Sequence, residues 1–127
     1  MNKNNKLIRA AVAEDLSVLV SMLADDPLGS IRENSDLPLH GNYLSAFQAI
    51  ENDQNNELVV VLRDERIIGM LQLTFIPYLT HMGSWRCLVE GVRIHKDFRG
   101  QGLGAELIQG SIERAKARDC KMIQLTS

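Results

Sequence analysis

The stretch from Leu88 to Ala115 constrains this chain more than any other. It reads as a strand, Leu88-Val89-Glu90-Gly91-Val92-Arg93-Ile94, then a polar turn, His95-Lys96-Asp97-Phe98-Arg99, then Gly100-Gln101-Gly102-Leu103-Gly104. A helix follows, with the apolar stripe Leu103, Leu107, Ile108, Ile112 and Ala115. Glycines at alternate positions let the backbone approach a ligand closely and take conformations closed to other residues. The first turn of the helix leaves N–H groups unpaired at the positive end of its dipole. Together these make an anion site suited to phosphate and built from main chain, with Arg99 able to add a charge at its entrance. Lys121-Met122-Ile123-Gln124-Leu125-Thr126 is the next strand, so the unit is a strand–helix–strand crossover, expected to be right-handed.

The rest of the chain supplies a sheet for that unit to join. Leu7-Ile8-Arg9-Ala10 is a short strand. Leu16, Leu19, Val20 and Leu23 fall on one helical face, with Glu14 and Asp15 favourable in the first turn. That helix is expected to stop before Pro27-Leu28-Gly29, and residues 25–42 read as a loop with at most a helical turn. Leu44, Phe47 and Ile50 mark a second helix. Leu58-Val59-Val60-Val61-Leu62 is a continuous apolar run, as in a strand covered on both faces. Asp64-Glu65-Arg66 turns it back into Ile67–Phe75, Pro77 ends that strand or marks a bulge, and a third strand runs from Trp85 to Ile94. The order is β-α-α-β-β-β-α-β, an antiparallel meander plus one crossover, without internal repeats.

Size and charge narrow the classes. The 127 residues make one domain, 1–127, able to bury roughly two thirds of its unfolded surface without a disulfide or metal staple. Fourteen Lys and Arg against sixteen Asp and Glu give a net charge of −2, which argues against a general binder of nucleic acid or anionic membrane. Cys87 and Cys120 match no metal spacing and read as small buried hydrophobes. No apolar run reaches the length of a membrane span, and the polar start Met1-Asn2-Lys3-Asn4-Asn5 is no signal peptide, so the reading is a cytoplasmic protein.

Three phosphate loops compete for the glycine segment. A Walker A loop needs Gly-Lys-Ser/Thr, whereas Gly104 is followed by Ala105-Glu106. A dinucleotide fingerprint is formally matched by Gly100, Gly102 and Ala105. Its strand should lead directly into it, however, and the acidic residue expected after the next strand has no counterpart. The third is the acetyl-coenzyme A loop: Arg99-Gly100-Gln101-Gly102-Leu103-Gly104 fits Arg/Gln-x-x-Gly-x-Gly/Ala. With Val92-x-Ile94 ahead of it, Phe98-Arg99-Gly100 at the turn, Ile68-Gly69 in the earlier strand and the order of elements, the whole chain resembles the GNAT superfamily of N-acetyltransferases. A glycine-rich turn without a ligand is the structural alternative.

The resemblance implies an α/β (α+β) fold with a mixed, mostly antiparallel central sheet flanked by helices. It implies acetyl-CoA as co-substrate, no metal, and transfer to a primary amine of a small molecule or peptide by direct attack. The backbone of Val92, Arg93 and Ile94 should bond the pantetheine amides, and the N–H groups of Arg99, Gly100, Gln101, Gly102, Leu103 and Gly104 the pyrophosphate. The N–H of Val92 should polarise the thioester carbonyl. Glu90, two residues earlier and so expected on the same strand face, is the candidate general base; its alternative is a solvated or salt-bridged glutamate. His95, Arg93 and Lys96 read as surface residues, with Arg93 or Lys96 within reach of the nucleotide 3′-phosphate, and Trp85 and Phe98 as packing. Asp25, Asp26, Glu33, Asp36 and His40, against Arg32, form an acidic lip that would suit a cationic acceptor, or an ordinary solvated loop. The segment from Tyr78 to Gly83 is a candidate for the pocket's other wall.

The chain also departs from the family. Relatives continue past the last strand with a helix and further strand or strands that hold a tyrosine able to protonate the leaving thiolate; here the tyrosines are Tyr43 and Tyr78. The last strand would lie at an unpaired sheet edge, so the expectation is a homodimer covering that edge or a chain shortened from a longer protein. The alternative function is a non-catalytic acyl-CoA-binding module, a sensor or interaction domain.

Overall fold

Two adjacent valines mark the middle of the sheet. Val60 and Val61 leave opposite faces of their strand, and both are buried, at 0% and 1% exposure. That strand therefore needs cover on both sides. The computed structural model describes residues 6–126 and arranges five strands in the order β1-β2-β3-β4-β5. β1 (Lys6–Ala10), β2 (Asn56–Arg63), β3 (Arg66–Pro77) and β4 (Trp85–Ile94) are antiparallel neighbours, and β5 (Cys120–Leu125) lies parallel to β4.

On one face Val61, Leu71, Leu73, Phe75, Cys87 and Val89 pack under α5 (Leu103–Ala117), through its Leu103, Leu107 and Ala115. On the other, Val60, Ile67 and Met70 meet Leu19 and Met22 of α1 (Leu16–Ala24) and Phe47 of α3 (Gly41–Glu51). The mixed, mostly antiparallel sheet flanked by helices is thus present, with the expected meander and crossover. Asp64 and Glu65 both take positive φ, the conformation a two-residue hairpin between right-twisted strands requires.

Two local expectations change. Glu14 and Asp15 lie not in the first turn of α1 but in a 3-10 turn ahead of it, Ala13–Asp15. The buried Asp15 carboxylate there accepts from Arg9 at 2.7 Å and from the Val12 N–H at 2.8 Å. Residues 25–42 are not a loop throughout, because α2 (Pro27–Arg32) starts where α1 was expected only to stop. Asp26 caps it by accepting from the Gly29 N–H, and Pro27 sits in its first turn, where a missing N–H costs nothing. Between β3 and β4 a single turn, α4 (Thr80–Gly83), holds His81, Met82 and Gly83 at positive φ.

Candidate functional site

β4 changes character at Gly91. Up to that point it is flanked on both sides, by β3 from Pro77↔Trp85 to Gln72↔Glu90 and by β5 from Trp85↔Cys120 to Val89↔Leu125. The register with β3 then jumps from Gln72↔Glu90 to Met70↔Arg93, three residues on β4 against two on β3. This is a β-bulge, and Gly91, at φ 64°, accommodates the extra residue. Alternation does not survive it. Val89 and Val92 both pack toward α5, whereas Glu90 and Arg93 leave the sheet on the α1 side. Glu90 and Val92, expected on one face, therefore lie on opposite faces. Glu90 is exposed and has no hydrogen-bond or ion-pair partner among the described residues.

Past the bulge one edge of β4 is open. The hydrogen bond from the His95 N–H to Ile68 O, 2.9 Å, shows that Arg93 and His95 turn their main-chain groups toward β3. Those of Val92 and Ile94 then face the other way. On that side the last contact with the neighbouring segment is from the Thr126 N–H to Val89 O, 3.0 Å, and from Gly91 onward no described strand lies beside β4. The two carbonyls on this edge are met by arginines: Val92 O accepts from Arg93 Nη1 at 2.9 Å, and Ile94 O from Arg99 Nε at 3.1 Å.

The open edge runs into the glycine loop through a 3-10 turn, Lys96–Phe98, which His95 caps by accepting from the Asp97 N–H at Nδ1, 3.1 Å. Phe98 packs against the α5-side core, with the guanidinium groups of Arg63 and Arg66 5.6 and 5.2 Å from its ring centre. Arg66 also holds Asp97 at 2.9 Å, and this bond keeps the Asp97 carboxyl below its ordinary pKa. Gly100 and Gly102 take φ 79° and 80°, and Gly102 is the N-cap of α5. A Cβ at Gly100, Gly102 or Gly104 would meet no atom within 4 Å, so the space before the loop is open. The first hydrogen bond of the helix, from the Glu106 N–H to Gly102 O at 3.1 Å, leaves the N–H groups of Leu103, Gly104 and Ala105 without helical acceptors. Gln101 is exposed at the tip. These donors fit a pyrophosphate.

The opposite wall is not the acidic lip expected of it. Asp25 pairs with Arg99 at 3.4 Å, Asp26 with Arg93 at 3.3 Å, and Glu33 with Arg32 at 3.0 Å. The Gly29 N–H, and then Arg93, hold the Asp26 carboxyl below its usual range. The Tyr43 hydroxyl, donating at 2.8 Å, and then Arg32 do the same for Glu33. His40 caps α3, accepting at Nδ1 from the Asn42 N–H. The negative charge read from the sequence is largely neutralised by arginines, two of them, Arg93 and Arg99, from β4 and the start of the glycine loop.

The remaining candidates fall elsewhere. The ring of Tyr78 lies 3.7 Å under the Arg86 guanidinium. Cys87 and Cys120 are free thiols; burial pushes the former up to about 11. No cluster that could hold a metal occurs among the described residues. A cavity of about 770 Å3 lies between α5 and the β1–β2 side of the sheet, against Ile8, Val59, Leu71, Leu103 and Leu107, away from the open edge of β4. The ion pairs Lys6–Glu106 and Arg114–Glu57 are among its lining residues. None of the described helices is long and apolar enough to cross a membrane.

Comparison with known proteins gives this geometry its context. A sequence profile of the acetyltransferase (GNAT) family matches residues 21–127. A crystal structure described as a transcriptional regulator from Bacillus halodurans C-125 is 53% identical with a TM-score of 0.92, over 96% of this chain and 81% of that one. An acetyltransferase from Trypanosoma brucei superposes with a TM-score of 0.76 at 24% identity, over 96% and 82% of the two chains. A predicted acetyltransferase from Clostridium acetobutylicum, solved with acetyl-CoA, does so at 0.74 and 18%, over 96% and 80%. These last two share the fold. A search of curated proteins returns no match.

Proposed function

The chain belongs to the acetyltransferase (GNAT) family, and from that premise we propose that it transfers an acetyl group from acetyl-CoA to a primary amine of a small molecule or peptide by direct attack. The observation that carries this is the continuity of unpaired main-chain donors. They run from Val92 and Ile94 on the open edge of β4 through the positive-φ glycines to the first turn of α5. A thin, amide-bearing arm that ends in a pyrophosphate matches such a track better than a compact anion does. The fold match to a protein solved with acetyl-CoA supports the same choice.

Bound there, acetyl-CoA would supply an acetyl thioester, whose carbonyl carbon is open to an amine. The residues of the chain divide the remaining work. The Val92 N–H, next to the bulge and unable to turn back toward β3, is a donor held ready for the negative charge that develops on the carbonyl oxygen. Arg99 and the N–H groups from Gly100 to Gly104 hold the diphosphate. Glu90, on the α1 face of the same strand, would take the proton that the acceptor ammonium must lose, directly or through a water. As the carbon–nitrogen bond forms the carbon–sulfur bond would break, and the coenzyme A thiolate would leave with the second amine proton, passed through water. An acceptor arriving over the α1 face would meet Glu90 before it reached the strand edge.

Calorimetric titration with acetyl-CoA, followed by thiol release with a panel of amines, tests the proposal. Saturable binding near one per chain and amine-dependent thiol release are expected. Binding without release from any amine would favour the non-catalytic acyl-CoA module. A folded chain that does not bind acetyl-CoA would end both readings.

A further inference from the structure

The α1 face of β4 carries a second feature, at the end far from the glycine loop. Arg86, Leu88 and Glu90 alternate along a stretch with unbroken register to β3, so their side chains share that face. Glu90 and Arg86 are four residues apart, about 13 Å along the strand. Neither has an ion-pair partner among the described residues; of the arginines only Arg63 shares this with Arg86, whereas Arg9, Arg32, Arg66, Arg93, Arg99, Arg114 and Arg118 are all paired. The Arg86 guanidinium carbon lies over the Tyr78 ring, 3.7 Å from its centre, and none of its N–H groups has a hydrogen-bond acceptor among the described residues.

Arg86 borders a recess of about 100 Å3 between the β3–β4 connection and the start of β5, lined also by Tyr78, His81, Ser84, Trp85 and Lys121. Its lining is mostly apolar, from residues that include Trp85 and Met122, but Arg86, Lys121 and His81 are the ionisable basic residues along it, and no Asp or Glu lines it. The strand alignment explains why Lys121 is there. Trp85 pairs with Cys120 and Arg86 with Met122, so Lys121 is the extra residue of an irregularity in β5. The volume has room for one tetrahedral or planar anion.

We propose that this recess is an anion site that receives the carboxylate or phosphate group of an acceptor whose amine lies at Glu90. The assignment rests on the acyl-transfer reading and names its substrate class: an amine carrying an anionic group at the far end of a short extended backbone, of about tripeptide length. Glu90 then meets the end of the acceptor that must lose a proton, Arg86 meets the end that must not move, and Leu88 lies between them.

The test is an NMR titration of the isotope-labelled chain, arginine side-chain signals included, with inorganic phosphate and with sodium acetate at constant ionic strength. Saturable shifts at the Arg86 side chain and at the Ser84 and Lys121 amides are expected with at least one of the two. The anion that produces them tells phosphate from carboxylate. R86Q should abolish them and R86K retain them, while the response of Gly100–Gly104 to acetyl-CoA persists in both. No saturable shift at Arg86 with either anion overturns the site. In transfer assays, trialanine is compared with its amide, and dialanyl-phosphoserine amide with dialanyl-serine amide. One charge-assisted contact lowers the KM of the anionic member of a pair about tenfold, and R86Q removes the difference. Equal KM within both pairs, or no turnover of any of the four by a chain that binds acetyl-CoA, overturns the acceptor assignment. Failure of the cofactor reading shows separately, as no response of Gly100–Gly104 to acetyl-CoA.

Discussion

The two walls that meet at β4 are made by different means. The wall from Val92 to Gly104 is main chain: a bulge, two positive-φ glycines and a helix start direct N–H groups outward, and removing any one side chain there leaves most donors in place. The wall from Asp25 to Tyr43 is held by side chains, with the carboxylates of Asp25, Asp26 and Glu33 fastened to arginines and, for Glu33, to a hydroxyl as well. Two of those arginines, Arg93 and Arg99, belong to the first wall, so the second is strapped to the first by Asp26–Arg93 and Asp25–Arg99. A wall of backbone resists substitution and acid; a wall of ion pairs responds to both.

The largest test of this contrast lies at the junction. Glu90→Gln keeps the shape and removes the proposed base, and turnover with the best amine is expected to fall by about 10²-fold, the lower end for general-base loss. Acetyl-CoA affinity by calorimetry should stay the same; unchanged turnover across pH would remove Glu90 from the role. Next in size is Gly102→Val. With no atom within 4 Å of the new Cβ, the strain within the chain falls on φ. The left-handed conformation costs a non-glycine residue about 1–2 kcal/mol, which predicts about tenfold weaker acetyl-CoA binding. Thermal unfolding should shift by only a few degrees, and full affinity would show that the loop does not depend on its backbone conformation.

The acid response separates the walls next. Asp26 and Glu33 have folded pKa values held below their unfolded ones. Their contribution is therefore complete above the ordinary carboxylate range, near pH 4, and is lost as pH falls through the lower folded values. Hydrogen exchange corrected for intrinsic rate should show α2 amides losing protection in that window before those of α5 do. Loss in the reverse order would contradict the division. Arg93→Gln should reproduce the α2 loss at neutral pH. The smallest effect is expected from Asp25→Asn. Its pair with Arg99 is about half-exposed on both sides, so stability should change by less than about 0.5 kcal/mol. The variant frees Arg99 for the diphosphate, however, and calorimetry should find acetyl-CoA affinity equal or a few-fold higher. A decrease would mean that Asp25 positions Arg99 rather than competing for it.

The sequence determined a good deal by itself. The strand from Trp85 to Ile94, the stripe from Leu103 to Ala115, the doubly covered run at Leu58–Leu62 and the turn at Asp64-Glu65 all stand where periodicity and turn chemistry place them. So does the glycine loop. Each depends on the φ/ψ preferences and side-chain spacing of a few consecutive residues, and that information is local. Even α2, read as no more than a helical turn within a loop, had its signal in Asp26-Pro27, a cap and a first-turn proline taken for a stop. Only the tertiary structure decided which way the chemistry faces. One extra residue at Gly91 reverses the parity of everything after it, so Glu90 and Val92 separate although two positions usually means one face. The charge of the lip was likewise out of reach. Asp25 and Arg99 are 74 residues apart in sequence and 3.4 Å apart in space, and a carboxylate's partner is set by which elements the sheet brings together. Conformation is written in neighbours along the chain; orientation and pairing belong to neighbours across it.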